Sequence, residues 1–412
     1  MYNLKELLDA LPPMMAGKEL MHAMTILPEY SEDIRHESDA IRLMALSDIY
    51  KVYVPSQMSQ EIYSKLYLAL LRSLQKKTTI TAVRQQNENF KAIRQQEYTG
   101  ILGGSDSFTI IGTSGIGKSS AISRAISLIS SNGIIEVQEP YSKIIPCLIV
   151  QCPFDSSVKA LLLEILRKVD ELLGSHYYQN AVKSKATTDM LIGSVSQVAL
   201  NHIGLLIVDE IQNVVNSKNG KSMVGMLTQL INNSGISICM VGTPESSVFF
   251  EQAMQLARRS LGLQYSKLEY NQQFYDFCNI LFGYQYVKQQ TKIDEGLAEW
   301  LYEHSGGIVS IVVSLIHDAQ EIAILNGKEI LNLETLNEAY LKRMTLLHGY
   351  IEPDRKIRVQ NRKTKNKMEM PKISIDECIE YGLVDLVAKA KSENRDVVEL
   401  LKQHIIVEVV AI

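Results

Sequence analysis

The sequence predicts an α/β fold in which a parallel sheet is followed by a helical lid and extended by further segments at both ends. Short apolar runs rich in β-branched residues recur at 108–111, 144–152, 205–208 and 236–241. Because these runs do not alternate with polar residues, we expect strands that are buried on both faces, as in a parallel sheet covered by helices. After residue 265 the apolar spacing is helical alone, which favours a separate lid.

Changes in pattern divide the chain into five predicted segments. These are an N-terminal helical segment at 1–76, an α/β core at 77–264, a lid at 265–346, a basic linker at 347–373 and a C-terminal module at 374–412. The first segment contains an amphipathic helix, and we interpret it either as an arm that docks a partner or as helices packed on the core. The linker could bind phosphate groups or an acidic partner, or simply be solvated. The C-terminal module is predicted to bind a partner.

Composition narrows the classes of function. The 412 residues are 46% hydrophobic and 21% charged, which is ordinary for a globular protein with a sizeable core. The formal net charge is −4, so the molecule as a whole is not a polycation. Any binding of nucleic acid is therefore expected to come from a local patch or from assembled subunits.

Cysteine usage and the N-terminal residues predict a cytoplasmic location. The five cysteines form no C-x-x-C pair, and most lie in or beside apolar runs, which indicates reduced thiols that serve packing. Charged residues at positions 5, 6 and 9 interrupt the first apolar stretch, so no signal peptide is predicted. No apolar run approaches the roughly 20 residues of a membrane span, and no membrane contact is expected.

A complete phosphate-binding motif follows the first apolar run. Residues 112–119 fit G-x-x-x-x-G-K-[ST], and helical spacing continues after them, so the motif lies between a strand and a helix as the phosphate-binding loop requires. Its glycines permit a sharp bend whose N–H groups point at phosphates. Lys118 is predicted to reach the β- and γ-phosphates of ATP, and Ser119 to hold Mg²⁺. The alternative is a glycine-rich turn that matches by chance. The predicted nucleotide contacts are Gly112, Thr113, Ser114, Gly115, Ile116, Gly117, Lys118, Ser119 and Ser120.

Two carboxylates end the apolar run at 205–208. Asp209 and Glu210 are expected at the carboxyl end of a buried strand, where open α/β sheets bind ligands. Asp209 is predicted to bind Mg²⁺, and Glu210 to accept a proton from the attacking water. A strand that ends in Asp-Glu is common, and a solvated strand end is the alternative. The complete phosphate loop about 90 residues earlier favours the catalytic interpretation.

Two further positions are candidates for contact with the γ-phosphate. Thr243 follows the run at 236–241, and its hydroxyl is either a sensor of the γ-phosphate or the cap of a turn before proline. Arg258 and Arg259 are adjacent on a predicted helix and point in different directions. One of them could reach the nucleotide of a neighbouring subunit, because guanidinium holds phosphate oxygens bidentately. A pair of exposed arginines is the alternative.

Taken together, these elements resemble AAA+ ATPases, members of the P-loop NTPases, and more narrowly the TnsC/TniB-type regulators of DNA transposition. The resemblance covers about residues 80–345 and is carried by 108–120, 151–159, 206–213, 241–245 and 255–259. The phosphate loop indicates only an NTPase. The narrower resemblance comes from the residues around Cys152 and from Ala257-Arg258-Arg259.

The resemblance implies a bacterial, DNA-associated ATPase that forms a homo-oligomer, either a ring or a helical filament, around duplex DNA without sequence preference. It implies that the assembly links a target selector of the TniQ/TnsD kind to transposase subunits of the TnsA/TnsB kind. Arg258 or Arg259 then becomes a finger that acts in trans. Basic residues that line the ring would contact the DNA backbone, and Lys143, Lys159 and Lys183 are the candidates.

One departure from the family pattern predicts slow hydrolysis. Many AAA+ lids carry an arginine after a glycine near the start of a lid helix, whereas residues 306–310 here contain none. With one fewer stabiliser of transition-state charge, hydrolysis is expected to act as a timer for disassembly. Two alternatives stay open: a signalling or defence ATPase without a DNA role, and a scaffold that binds ATP without turnover.

Overall fold

One mixed sheet forms the centre of the computed structural model, which describes residues 4–100, 107–130, 133–138, 141–214, 220–247 and 262–351. Its strands are β1 (Phe108–Gly112), β2 (Ile135–Gln138), β3 (Tyr141–Gln151), β4 (Ile203–Asp209), β5 (Ser237–Gly242) and β6 (Leu263–Tyr265). Their order is β2-β3-β4-β5-β1-β6. All neighbouring pairs are parallel except the antiparallel pair of β2 and β3 at one edge. The predicted parallel α/β sheet is confirmed.

Helices cover both faces of this sheet and form the lid. They are α1 (Leu4–Asp9), α2 (Gly17–Met24), α3 (Asp39–Leu46), α4 (Gln57–Lys77), α5 (Ile80–Ile93), α6 (Lys118–Ile129), α7 (Val158–Leu173), α8 (Tyr177–Lys183), α9 (Thr188–His202), α10 (Gly220–Ser234), α11 (Gln272–Phe282), α12 (Glu295–Ser305), α13 (Val309–Leu325), α14 (Leu333–Arg343) and α15 (His348–Ile351). Short polar side chains begin several of them; Ser157 accepts from the Ala160 N–H at the start of α7, and Asn271 accepts from Phe274 at the start of α11.

The buried apolar residues explain why the strands lack alternation. One cluster fills the space between one sheet face and α7, α9 and α10, and a second lies between the other face and α4 and α6. Each central strand therefore points apolar side chains into both clusters; Ile238 belongs to the first, and Cys239 to the second. Burial on both faces is the physical reason for a continuous apolar run.

A third cluster belongs to the lid, α11 to α14, and includes Leu46 and Ile49 from the N-terminal segment. Among the described residues, no single helix has the length and hydropathy needed to cross a membrane; α12 and α13 reach the threshold only as a pair, bent by 117°. Buried residues of both helices contribute to the lid cluster.

The N-terminal segment is divided between the sheet and the lid. The apolar stripe of α4 is fully buried against the sheet, with Ile62, Leu66, Leu70 and Leu74 at 0% exposure. Residues 28–49 instead contact the lid, where Arg42 forms a bidentate ion pair with Glu329. The chain between these two parts, residues 52–58, is here called the strap. The predicted division into five segments stays a prediction, and residues 352–412 lie outside the described residues.

The described cysteines are free thiols in apolar surroundings. Burial raises the pKa of the Cys147, Cys152 and Cys278 thiols to about 12, and it raises that of Cys239 as well. Such thiols are protonated and unreactive at neutral pH, which agrees with a packing role. Cys378 lies outside the described residues.

Candidate nucleotide-binding site

The phosphate loop lies at the carboxyl edge of the sheet, between the end of β1 and the start of α6. Gly115 and Gly117 have φ angles of +82° and +96°, in the left-handed region that L side chains rarely adopt. Helix α6 begins directly after Gly117, at Lys118. The loop amides and the positive end of the helix dipole therefore face the same space.

Lys118 is folded back onto its own loop. Its ammonium donates to the carbonyl oxygens of Gly112 at 2.5 Å and Thr113 at 3.0 Å. Burial lowers the pKa of Lys118, while the carboxylates of Asp209, Glu210 and Glu245 oppose that shift. An ammonium group in this position can exchange the two carbonyl oxygens for phosphate oxygens.

The acid pair lies across the loop, at the end of β4. Asp209 Oδ2 accepts from the Ser119 hydroxyl at 3.4 Å, and its Oδ1 accepts from the Glu210 N–H at 2.8 Å. A hydroxyl and a carboxylate at this spacing form an all-oxygen donor set, which suits Mg²⁺. Glu210 has a φ of +58°, an unusual backbone conformation for a residue with a side chain. The sharp turn carries its carboxylate away from the line of the strand.

Strand order explains why Thr243 joins this group. β5 lies between β1 and β4, so its carboxyl end lies between the phosphate loop and the acid pair. Thr243 lines the same cavity, and its hydroxyl bonds to Glu245, which is the main cause of the lowered pKa of that carboxyl. The Thr243 side chain does not cap the turn that follows it. Its predicted role as a sensor stays a prediction.

A cavity of about 1050 Å³ joins these groups to the strap and the lid. Its polar end is the phosphate loop with Asp209 and Glu210. The rest of the lining is mixed, with polar residues such as Gln57, Gln273 and Asp276 beside apolar ones. Its apolar side chains, here called the apolar end, include Val52, Val54 and Met58 of the strap and Leu268, Phe277 and Val313 of the lid. A volume near the upper end for ligand pockets, with one polar and one apolar end, suits a nucleoside triphosphate. Sequence reasoning missed the apolar end, because no motif marks those residues.

The lid touches the phosphate loop directly. The Ser310 N–H, in the first turn of α13, donates to the Gly115 carbonyl at 3.0 Å. A methyl group on Gly115 would lie 2.3 Å from Ser310 Oγ, so glycine is required for this approach. The arginine-free stretch at 306–310 thus lies against the loop. Lys118 is the one basic side chain among the described residues that line the cavity.

The part of the chain that contains this site is similar to a known protein family. Residues 103–269 match the sequence model of a family described as Bacterial TniB protein. The match covers less than half of the chain, so it shows a similarity of this segment to the TniB family. The matched span begins just before β1 and ends just after β6, so it contains the phosphate loop, the acid pair and the β5 tip. The resemblance predicted from the sequence is therefore confirmed.

Three solved structures resemble this chain. Orc1 of Aeropyrum pernix in complex with DNA is 12% identical, with a TM-score of 0.42 over 78% of this chain and 82% of that one. Drosophila ORC bound to DNA is 12% identical, with a TM-score of 0.39 over 97% and 84%. A Walker-type ATPase of Pyrococcus abyssi is 11% identical, with a TM-score of 0.38 over 77% and 89%. No curated protein sequence matches the chain.

The remaining site residues predicted from the sequence do not form one cluster among the described residues. Lys143 lies near the amino end of β3 and pairs with Glu136 at 3.4 Å, whereas Lys159 lies in the first turn of α7, beyond the carboxyl end of β3. The strand between them spans about 26 Å. Lys183 ends α8 and is exposed. Arg258 and Arg259 lie outside the described residues.

Proposed function

We propose that this chain is an Mg²⁺-dependent ATPase that assembles on duplex DNA and regulates transposition. In the ATP form it builds a ring or helical filament without sequence preference and links a TniQ/TnsD-kind target selector to TnsA/TnsB-kind transposase subunits. Hydrolysis then releases the assembly. One observation carries the ATPase part: the phosphate loop, the acid pair and the β5 tip converge on one cavity that also has an apolar end.

The residues of the cavity take separate roles in this proposal. The loop amides and Lys118 hold the β- and γ-phosphates, and Ser119 and Asp209 hold Mg²⁺. When bound, the ion neutralises charge on the phosphate oxygens. Glu210 orients the attacking water and accepts its proton, and Thr243 meets the γ-phosphate once its hydroxyl leaves Glu245.

The apolar end of the cavity takes the base. The strap contributes Val52 and Val54, and the lid contributes Leu268 and Phe277. Because these two parts are far apart in the sequence, a bound base would tie them together. Occupancy of the cavity would therefore set the position of the lid relative to the phosphate loop.

Hydrolysis is slow in this proposal, because the described lining offers the transition state a single cation, Lys118. Arg258 or Arg259 of a neighbouring subunit supplies the second cation, so assembly and turnover are coupled. Because the net charge of the chain is −4, binding to DNA must come from local basic groups. Assembly would place many copies of these groups along the duplex. The TniB match and the predicted resemblance to transposition regulators support this DNA-linked role over other uses of the same site.

The test measures phosphate release and particle size with and without duplex DNA. We expect wild-type protein with ATP and DNA to form large assemblies in electron microscopy, and binding to weaken steeply as salt rises. Lys118→Ala should abolish nucleotide binding, and Glu210→Gln should bind ATP and stay on DNA without turnover. Arg258→Ala and Arg259→Ala, tested separately, should identify the finger by loss of turnover in one of them.

Three outcomes would replace the proposal. If duplex DNA changes neither the rate of phosphate release nor the particle size, a signalling or defence ATPase is favoured. Phosphate release no higher than that of Glu210→Gln, with and without DNA, would favour a scaffold. A protein that stays monomeric with ATP and duplex DNA would reject the assembly.

A further inference from the structure

A glutamine side chain joins the proposed general base to the neighbouring strand tip. The Gln212 Nε2 donates a hydrogen bond to Glu210 Oε2. The other end of the same amide, Oε1, accepts from the Thr243 N–H at 3.3 Å. One planar amide therefore connects the turn after β4, which carries Glu210, to the tip of β5.

The surroundings of Gln212 hold this bridge in one place. Gln212 belongs to a short 3-10 turn, Ile211–Val214, whose two end residues are buried at 0% and 1% exposure. Asn213 fixes the turn further, since its side chain donates to the Cys152 carbonyl at 3.0 Å and its N–H to the Glu210 carbonyl at 3.0 Å. The backbone on both sides of Gln212 is thus anchored.

Gly242 provides the space in which the amide lies. A methyl group at that position would come within 3.0 Å of Gln212 Oε1 and 2.8 Å of Ile211 Cγ2. Any side chain on residue 242 would therefore push the amide or the turn away from the β5 tip. The close approach makes the bridge a built feature of the site and not a chance contact between exposed side chains.

The two hydrogen bonds have different chemical consequences. A bond from an N–H to an ionised carboxylate is charge-assisted, and it fixes which carboxylate oxygen is left to face a water. The bond from Thr243 makes that orientation depend on the β5 tip, because a shift of the tip moves the amide. The bridge thus connects the place where the γ-phosphate is read to the group that acts on water.

We propose that Gln212 is a positioning residue that sets the direction of the Glu210 carboxylate and couples it to Thr243. The inference rests on the proposed ATPase function and adds a residue to its machinery. Gln212 does not touch the reacting atoms. Its contribution appears in the rate of the chemical step and leaves the binding of nucleotide unchanged.

Two variants separate positioning from packing. Gln212→Leu removes both hydrogen bonds, whereas Gln212→Glu keeps the size and shape but replaces the donor with a like charge beside Glu210. We expect kcat for phosphate release to fall at least tenfold in both, while KM for ATP and the affinity for a fluorescent ATP analogue stay within twofold. Gln75→Leu, the same substitution on an exposed part of α4, is the control and should match wild type.

The remaining results overturn the inference in distinguishable ways. If wild type hydrolyses ATP and either variant keeps its kcat, or gains rate, Gln212 does not position the base and the ATPase proposal survives. If either variant loses nucleotide affinity more than tenfold, its role is structural. If wild type itself releases no phosphate above Glu210→Gln, the ATPase function fails, and the role of Gln212 fails with it.

Discussion

The contact between the lid and the phosphate loop predicts a specific effect of Gly115→Ala. The Ser310 N–H donates to the Gly115 carbonyl at 3.0 Å, and the methyl group would lie 2.3 Å from Ser310 Oγ and 2.9 Å from Ile308 Cγ2. Heavy atoms in ordinary contact are at least 3.4 Å from a Cβ. We expect the Ser310 hydroxyl and the Ile308 methyl group to be displaced and the first turn of α13 to move away from the loop, which weakens the hydrogen bond between lid and loop.

Gly115→Ala is expected to cost free energy in two ways, through backbone strain and through loss of the lid contact, and a matched variant can separate them. A side chain at a left-handed φ costs about 1–2 kcal/mol, and Gly117→Ala pays the same strain at a φ of +96°. The nearest atom to a methyl group at Gly117 is Met58 Cε at 4.0 Å, so that variant leaves the lid undisturbed. The loss of lid contact is specific to Gly115→Ala and amounts to about 1–2 kcal/mol, or roughly 5- to 30-fold in the opening equilibrium.

Hydrogen–deuterium exchange of the nucleotide-free protein measures this opening at the first turn of α13. We expect exchange of the Ser310 amide to be roughly 5- to 30-fold faster in Gly115→Ala and unchanged in Gly117→Ala. Ser310→Ala removes the atom at 2.3 Å, so the double variant should recover much of the protection. Equal exchange in Gly115→Ala and Gly117→Ala, or no recovery in the double variant, would show that the lid does not rest on the loop.

Two further predictions concern buried charges. Arg42→Met should lower the free energy of unfolding by about 2 kcal/mol in chemical denaturation, because Glu329 loses its bidentate partner and retains the ion pair with Lys288 at 3.0 Å. The Arg42 hydrogen bonds are the main reason that the pKa of Glu329 falls to about 2. The stabilisation that comes from this lowered pKa is present above about pH 4.5 and lost as the pH drops towards 2. The free energy of unfolding of Arg42→Met should therefore fall less steeply than that of wild type as the pH is lowered over this range. Lys77 is fully buried, donates to the Ala199 and Ile203 carbonyls, and has a pKa lowered by burial to about 7. Above pH 7 the folded protein loses this proton, whereas the unfolded chain holds it up to about pH 10.5. The melting temperature of wild type should therefore rise relative to that of Lys77→Met as the pH increases above 7. A difference in melting temperature that does not change with pH would contradict the lowered pKa of Lys77.

The sequence was most informative where the chemistry depends on consecutive residues. The phosphate loop needs left-handed glycines, a lysine and a hydroxyl in fixed order between a strand and a helix, and the structure has that arrangement at 108–129. The long strands were predictable for the same reason, since burial on both faces leaves an unbroken apolar run. β6 was missed, because three residues are too few for a pattern. β2 was missed because four residues at the sheet edge alternate in burial.

The placement of the N-terminal segment shows where sequence reasoning stopped. Its amphipathic helix was consistent both with an arm that docks a partner and with a helix packed on the core, because a stripe of Leu and Ile does not specify what covers it. The structure places the stripe of α4 on the sheet and residues 28–49 on the lid. The strap between them lines the cavity, which no motif in residues 52–58 indicates.

The sequence by itself predicted the reaction class, because the groups proposed to hold phosphates and magnesium lie in two short stretches whose local geometry is nearly obligatory. Only the tertiary structure decided what surrounds them: the apolar end of the cavity, Ser310 on Gly115, and Gln212 between Glu210 and Thr243. The physical reason is the strand order, which brings β5 between β1 and β4 and gathers side chains from distant parts of the chain. Contacts of that kind depend on packing across the whole sheet, and no local pattern of residues encodes them.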